Sequence, residues 1–340
     1  MSDIDRPVEI RQRIIFRLTA LWALSEAGLG GFLHALKIPV TGLIVGGLSM
    51  ILITLISYFS KEKRTLVFKA LMLVLLVKLS LSPHTSPTAY LAVSFQAGVA
   101  YIIYKYFHIN RVSITLVFVL GYFETAAQKL IMLTILGGKP FWNAVDDFVT
   151  YIATIFNTQI QYSGKWYLMG VYFGIYLIAA VVLAALCYAL IKQFSTDLLL
   201  HKDQPSSTVV LSQEMGTDKP IKKRIPKWMS IFLIIAIAVA YILFSQQTDY
   251  VYYRAIQYLL RTFLIILFWY FIVMPYSLKW INKFLKSKLP QHQSDIEDVV
   301  QLFPKMKEII KRSWIESHIY KGIFRLFHFI KLSIYNILVF

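Results

Sequence analysis

The fold this sequence predicts is an all-α integral membrane protein of about eight transmembrane helices, arranged six plus two, with both termini cytoplasmic. Three observations predict it. Apolar runs long enough to cross a bilayer recur between short polar breaks. With 57% hydrophobic and only 16% charged residues, the chain carries more apolar side chain than a soluble domain hides. Finally, Lys and Arg gather in alternate breaks, as membrane topology requires.

A helix needs about 20 mostly apolar residues to cross a hydrocarbon core of roughly 30 Å. Runs at about 14 to 35, 39 to 59, 65 to 82, 87 to 107, 112 to 136, 166 to 192, 228 to 246 and 254 to 277 meet that need. Lys69 and Lys78 stand near the ends of the third run and Arg261 lies inside the eighth, positions from which long cations snorkel or reach the interface. With the N-terminus inside, most of the 35 Lys and Arg fall on the cytoplasmic side, and only Lys37, Lys139, Lys165 and Arg254 on the other. The same distribution turns the net charge of +17 away from nucleic acid, because the cations flank apolar runs. The opening MSDIDRPVEIRQR leads into a long apolar run without a small-residue cleavage site, so the first run is expected to stay. The single Cys187 lies in an apolar run and excludes a disulfide framework or a multi-cysteine metal site within one chain.

Composition divides the chain into a six-span part (1–194), a polar cytoplasmic linker (195–227), a two-span module (228–278) and basic amphipathic helices (279–340). In the last part, Ile296, Val299, Val300, Phe303, Met306, Ile310 and Trp314 recur at helical spacing. Ile319, Ile323, Phe327, Ile330, Ile334 and Leu338 continue the pattern. These stripes are expected to lie on the inner leaflet or to dock on a partner. The longest outer stretch, residues 137–166, places Phe141, Val145, Phe148, Val149 and Ile152 on one face, an amphipathic helix serving as a lid or lying at the interface.

Neither an HExxH motif nor a GxxxxGK[ST] phosphate cradle occurs, and the seven histidines are scattered, so the sequence predicts no enzyme, no metal and no cofactor. What remains is polar groups at membrane depth, which are costly to insert and so mark candidate sites. They are Glu26 and His34 in the first run, Gln96 in the fourth, and Glu124, Gln128 and Lys129 in the fifth. Glu124 and Gln128 share a helix face, and Lys129 can pair with a neighbouring carboxylate. Helix-packing hydrogen bonds or a structural ion pair explain such groups as readily as a solute site does. Ala23 with Ala27, Gly42 with Gly46, Gly170 with Gly174 and Ala180 with Ala184 carry the small-xxx-small spacing of close helix packing.

The stretch ALSEAGLGGFLHALKIPVTGLIVGGLSMILITLI, Ala23 to Ile56, resembles the opening of the substrate-binding S components of energy-coupling-factor vitamin transporters. It has an alanine-spaced first helix, a glycine-rich helix end, a short loop with an Ile-Pro dipeptide and a glycine-rich second helix, and the likeness in architecture covers residues 10–193. The resemblance implies that Ala23 and Ala27 face a membrane coupling subunit and that the loop from His34 to Thr41 gates. It also implies that Glu124, Gln128, Asn143 and Trp166 contact solute. Beyond the sixth span the chain departs from that family. LFPKMKEIIKRSW, Leu302 to Trp314, is similar in character to cytoplasmic coupling helices, but Glu316 and Ser317 stand where an Ala-Arg-Gly signature is expected.

These readings predict a multi-pass protein of the inner or plasma membrane that binds and takes up a small metabolite or vitamin. Lipid surrounds it, and a coupling subunit and ATPase on other chains supply energy. The alternative is a non-transporting scaffold or assembly factor that recruits a partner through the basic C-terminal helices. A membrane-embedded enzyme would need an acid-base or metal constellation, and none has recognisable spacing.

Overall fold

The structure is a computed structural model that describes residues 6–35, 41–60, 65–82, 85–158, 163–200 and 251–340. Among these residues every regular element is a helix. In chain order they are α1 (Arg6–Leu24), a π-turn (Ser25–Leu29), α2 (Gly30–Ala35), α3 (Thr41–Phe59), α4 (Thr65–Leu81), α5 (Pro87–Tyr106), α6 (Arg111–Ile155) and α7 (Gly164–Leu200). After an interval follow α8 (Val251–Phe268), a π-turn (Trp269–Val273), α9 (Met274–Lys288), a 3-10 turn (Leu289–His292), α10 (Gln293–Glu316), a 3-10 turn (Ser317–Ile319) and α11 (Gly322–Val339).

Four described stretches are long and apolar enough to cross a membrane: Thr41–Phe59, Arg111–Ile155, Gly164–Phe194 and the helical run Gln257–Ile319. The most apolar window of α3 is 67% buried inside the chain, whereas among the described residues that of Gln257–Ile319 is not buried at all. The expected runs at 14 to 35, 65 to 82 and 87 to 107 are helical, but α1 bears several arginines, α4 has 17 residues, and α5 carries Ser94, Gln96 and Lys105. The expected span at 228 to 246 lies outside the described residues. The linker begins later than composition suggests, because α7 runs through Ser195 to Leu200. Those six residues contain no helix breaker, and the first proline comes only at Pro205. Residues 201–227 lie outside the described set.

Two compact units emerge, one holding the described residues of 1–125, 175–211 and 284–340, the other those of 126–174 and 212–283. In the first, α3 is the central helix. Residues 49–57 are continuously buried, and α1, α4 and α5 pack on it. Leu18, Trp22, Met50, Leu52, Ile56, Leu76 and Phe118 are among its fully buried side chains. Glycines make the close approaches. A Cβ on Gly47 would meet the Tyr122 hydroxyl and Leu183, and one on Gly121 would meet the Met50 sulfur. The small-xxx-small reading of Gly42 and Gly46 thus describes internal packing, with Thr125 against Gly42 and Gln96 against Gly46.

In the second unit, α6 breaks at Gly138, whose φ of 59° is reached without Cβ strain only by glycine, and Pro140 follows. The helix then resumes through Phe141–Ile155, the predicted amphipathic segment. The break is held by α8. The Thr262 hydroxyl lies 3.0 Å from the Leu136 carbonyl oxygen, which the break deprives of its ordinary helical donor, and 2.9 Å from that of Tyr258. The Arg261 guanidinium lies against Gly138, so this arginine covers a helix kink instead of simply snorkelling.

Part of the C-terminal stripe is used within the chain, whereas Trp314 and Ile319 of the same pattern are exposed. Ile296, Val299, Phe303 and Met306 are buried where α10 meets α1, α4 and α11. Arg17 of α1 donates to the Leu338 carbonyl at 2.8 Å, and both Arg17 and Lys305 stand over the Phe340 ring. Cations at the end of α11 also face the negative end of its dipole. On the other flank, Arg325 covers Trp314, whose ring meets Phe329 edge-on, and Asn336 bonds Ser313.

Because Tyr122 and Leu183 fill the space beside Gly47, Gly47→Val is expected to cost about 1–3 kcal/mol by overpacking and to lower the thermal unfolding midpoint in detergent. An unchanged midpoint would mean that α3 does not meet those side chains.

Candidate functional site

The site starts from one irregular turn. Where α1 ends, Ser25–Leu29 forms a π-turn in which the Gly30 N–H reaches back to the Ser25 carbonyl, widening the helix by one residue. The Ser25 hydroxyl bonds the Trp22 carbonyl. On this turn sits Glu26, 5% exposed. One of its carboxylate oxygens accepts from the Ser49 hydroxyl of α3 at 2.6 Å, and the other from the Lys78 ammonium of α4 at 2.6 Å. Lys78 is itself 5% exposed, with its nitrogen 5.9 Å from the centre of the Tyr90 ring.

Lys78 was expected to snorkel, and the structure overturns that. A buried Glu26 carboxylate would be prohibitively costly alone, and an ammonium one helix away offsets that cost better than a solvated one can. Three helices are therefore joined through one carboxylate.

A second polar set lines the glycine face of α3. The Gln96 amide nitrogen from α5 would lie 3.1 Å from a Cβ on Gly46, and Thr125 of α6 is on the same face. The Tyr122 hydroxyl donates to the Leu43 carbonyl at 2.6 Å, and its ring meets Tyr176 edge-on. Lower on α3, Thr54 and Tyr104 share a hydrogen bond of 2.9 Å beside Cys187, which is buried and free as its apolar run predicts. Among the described residues, six buried polar atoms of this unit lack hydrogen-bond partners: Gln96 Oε1, Glu124 Oε2, Trp22 Nε1, the Tyr90 hydroxyl, which stands beside Thr85, and, in the C-terminal helices, Arg325 Nε and the Ser333 hydroxyl.

The other sequence candidates are placed separately. His34 belongs to α2, and residues 36–40 of the expected gate lie outside the described set. Ala23 and Ala27 are buried in the core of the first unit, so the face they would offer a coupling subunit is occupied inside the chain. In the second unit Gln128 is half-buried and Asn143 exposed, while Trp166, 63% exposed, lines a shallow open depression with Tyr167, Gly170 and Val171.

Sequence reasoning passed over Lys78 and Ser49 as site members and did not single out Asp146. The Asp146 carboxylate accepts from the Ser163 hydroxyl at 2.5 Å, the Lys165 backbone N–H at 2.7 Å and the Lys165 ammonium at 3.1 Å. The available signal was an acidic pair in a loop closed by a serine and a lysine, which spacing alone does not connect. The Ser163 hydroxyl first, then the Lys165 backbone, hold the Asp146 carboxyl below its ordinary range. Among the described residues no group of His, Cys, Asp and Glu could hold a metal ion.

No family model, no curated protein and no solved structure matches this chain.

Two outcomes follow. Lys78→Met leaves Glu26 buried without its counter-ion and is expected to cost about 3–5 kcal/mol, most of which the double substitution Glu26→Gln with Lys78→Met restores. Thermal unfolding of the three proteins checks this, and a double variant as unstable as the single one would count against it. A depressed carboxyl contributes above the ordinary carboxylate range and loses that contribution as pH falls through its lowered pKa. Exchange of the Lys165 amide, taken relative to its intrinsic rate, should therefore be slow at neutral pH and accelerate on acidification, while Asp146→Ala should be fast throughout.

Proposed function

We propose that this chain is a multi-pass protein of the inner or plasma membrane, with eight spans and both termini cytoplasmic, that binds a small metabolite and takes it up with energy supplied by another chain. The observation carrying the reading is the buried Glu26, Ser49 and Lys78 constellation on a π-turn. Such a costly arrangement on an irregular turn is characteristic of functional sites in membrane helices. Partnerless buried groups at Gln96 and Glu124 add hydrogen-bonding capacity that a solute can use. The likeness of Ala23 to Ile56 to the opening of S components points the same way.

The scaffold alternative recruits a partner through the basic C-terminal helices. Ile296, Val299, Phe303 and Met306 are turned onto this chain's own helices, whereas Ile315, Ile319 and Phe324 stay exposed for such a partner.

Topology and function are tested on the same protein. Cys187 is buried, so cysteines introduced at exposed positions report sidedness against a quiet background. An impermeant maleimide should label Thr150→Cys in intact cells and Ser287→Cys only after permeabilisation; the reverse pattern would refute the orientation. Native mass spectrometry of the protein gently solubilised from its own host should reveal a copurified small molecule, with an ATPase pair attached to part of the population. A bare protein bound to some other membrane assembly would sink the uptake reading.

A further inference from the structure

The geometry points to Lys78 as the residue that recognises the solute, and to a carboxylate on that solute as the group it holds; the inference rests on the uptake reading above. An ammonium carries three N–H donors. Among the described residues Lys78 spends one of them, on Glu26 Oε2 at 2.6 Å. Its remaining electrostatic contact is with the Tyr90 ring, whose centre is 5.9 Å away. Two donors of a nearly fully buried cation are thus left to find an acceptor.

The neighbouring groups favour the same chemistry. Tyr90, 3% exposed and with its ring facing Lys78, has a buried hydroxyl without a hydrogen-bond partner. A phenol donates readily, so it suits an acceptor-rich group. Glu26 is differently placed. Each of its oxygens already has a donor at 2.6 Å, so it has less to offer a cationic ligand than Lys78 has to offer an anionic one. Glu26 then acts as the resident occupant of the ammonium, holding Lys78 in place in the absence of solute. An incoming carboxylate shares the cation with it and takes the two unspent donors.

This assignment gives the two charged residues opposite signatures. Removing Lys78 removes the contact. Replacing Glu26 by glutamine keeps a similar shape, leaves Ser49 and Lys78 with a neutral partner, and removes a negative charge that competes with the ligand for the same ammonium.

The experiment is native mass spectrometry of the full chain purified from its own host, as wild type, Lys78→Met, Glu26→Gln and the double variant. The copurified molecule is released, treated with carbodiimide and methylamine, and weighed for gain of a methylamide on each carboxylate. The wild type should carry a molecule that gains one. Lys78→Met should retain it about a hundredfold less well, and Glu26→Gln should release it roughly tenfold more slowly. The double variant, whose thermal unfolding confirms that it folds, should be as empty as Lys78→Met and carries the test if that single variant fails to fold. A wild-type molecule without a carboxylate overturns the inference and leaves the uptake reading standing. Retention by folded Lys78→Met or by the double variant overturns it too, as does loss from Glu26→Gln, which would assign recognition to the carboxylate and a cationic solute. No small molecule on any of the proteins removes the uptake reading itself.

Discussion

A carboxylate taken out of water must bring its compensation with it, and in the first unit that requirement falls on Glu26. Ser49 and Lys78 meet it from two different helices, each at 2.6 Å. The consequence is geometric. If α1, α3 or α4 slid by one turn, about 5.4 Å, at least one charge would be stranded in an apolar core. Apolar contacts among leucines and isoleucines tolerate such sliding far better, so one polar contact fixes a register that the surrounding packing would leave loose. The π-turn fits the same account. It advances the chain by an extra residue just where the helix must present Glu26 inward, and Gly28 within it and Gly30 and Gly31 after it keep the backbone slender there.

Packing at the other end of α1 is of a different kind. The stripe of α10 and the end of α11 lie on the same helix that carries Glu26, and Arg17 ties them through the Leu338 carbonyl and the Phe340 ring. A single helix therefore takes part in both the polar cluster and the docking of the C-terminal helices. Any movement of α1 would be felt by α10 and α11 directly, through contacts already formed.

Much of the helical framework was legible in the sequence because apolar runs and their period are local properties. The end of the fifth apolar run near 136 was visible, and Phe141 to Ile152 marked the amphipathic segment after it, whereas the kink at Gly138 came only with the structure. Ile296 to Met306 revealed a stripe, but a stripe does not name its partner, and lipid, another protein or α1 would each be compatible with it. The same limit applied to the site. Glu26 stood out as a carboxylate in an apolar run, whereas Lys78, 52 positions away, looked like an interfacial cation because its spacing from the helix end allows snorkelling. Only the packing of α4 against α1 decides between the two, and that is a tertiary fact. Ser49 gave no signal at all, being one small polar residue in a glycine-rich helix.

The contact between Arg17 and Leu338 joins residues 321 positions apart. At a synthesis rate of about 5–20 residues per second, roughly 15 to 60 seconds pass between the emergence of one and of the other. Throughout that interval α1 is complete while the residues that cover its flank do not yet exist. Over that time the flank of α1 that α10 and α11 will cover, and Arg17 with it, has to rest on other surroundings. Assembly of this chain is in that sense a handover, from a temporary cover to its own distant helices.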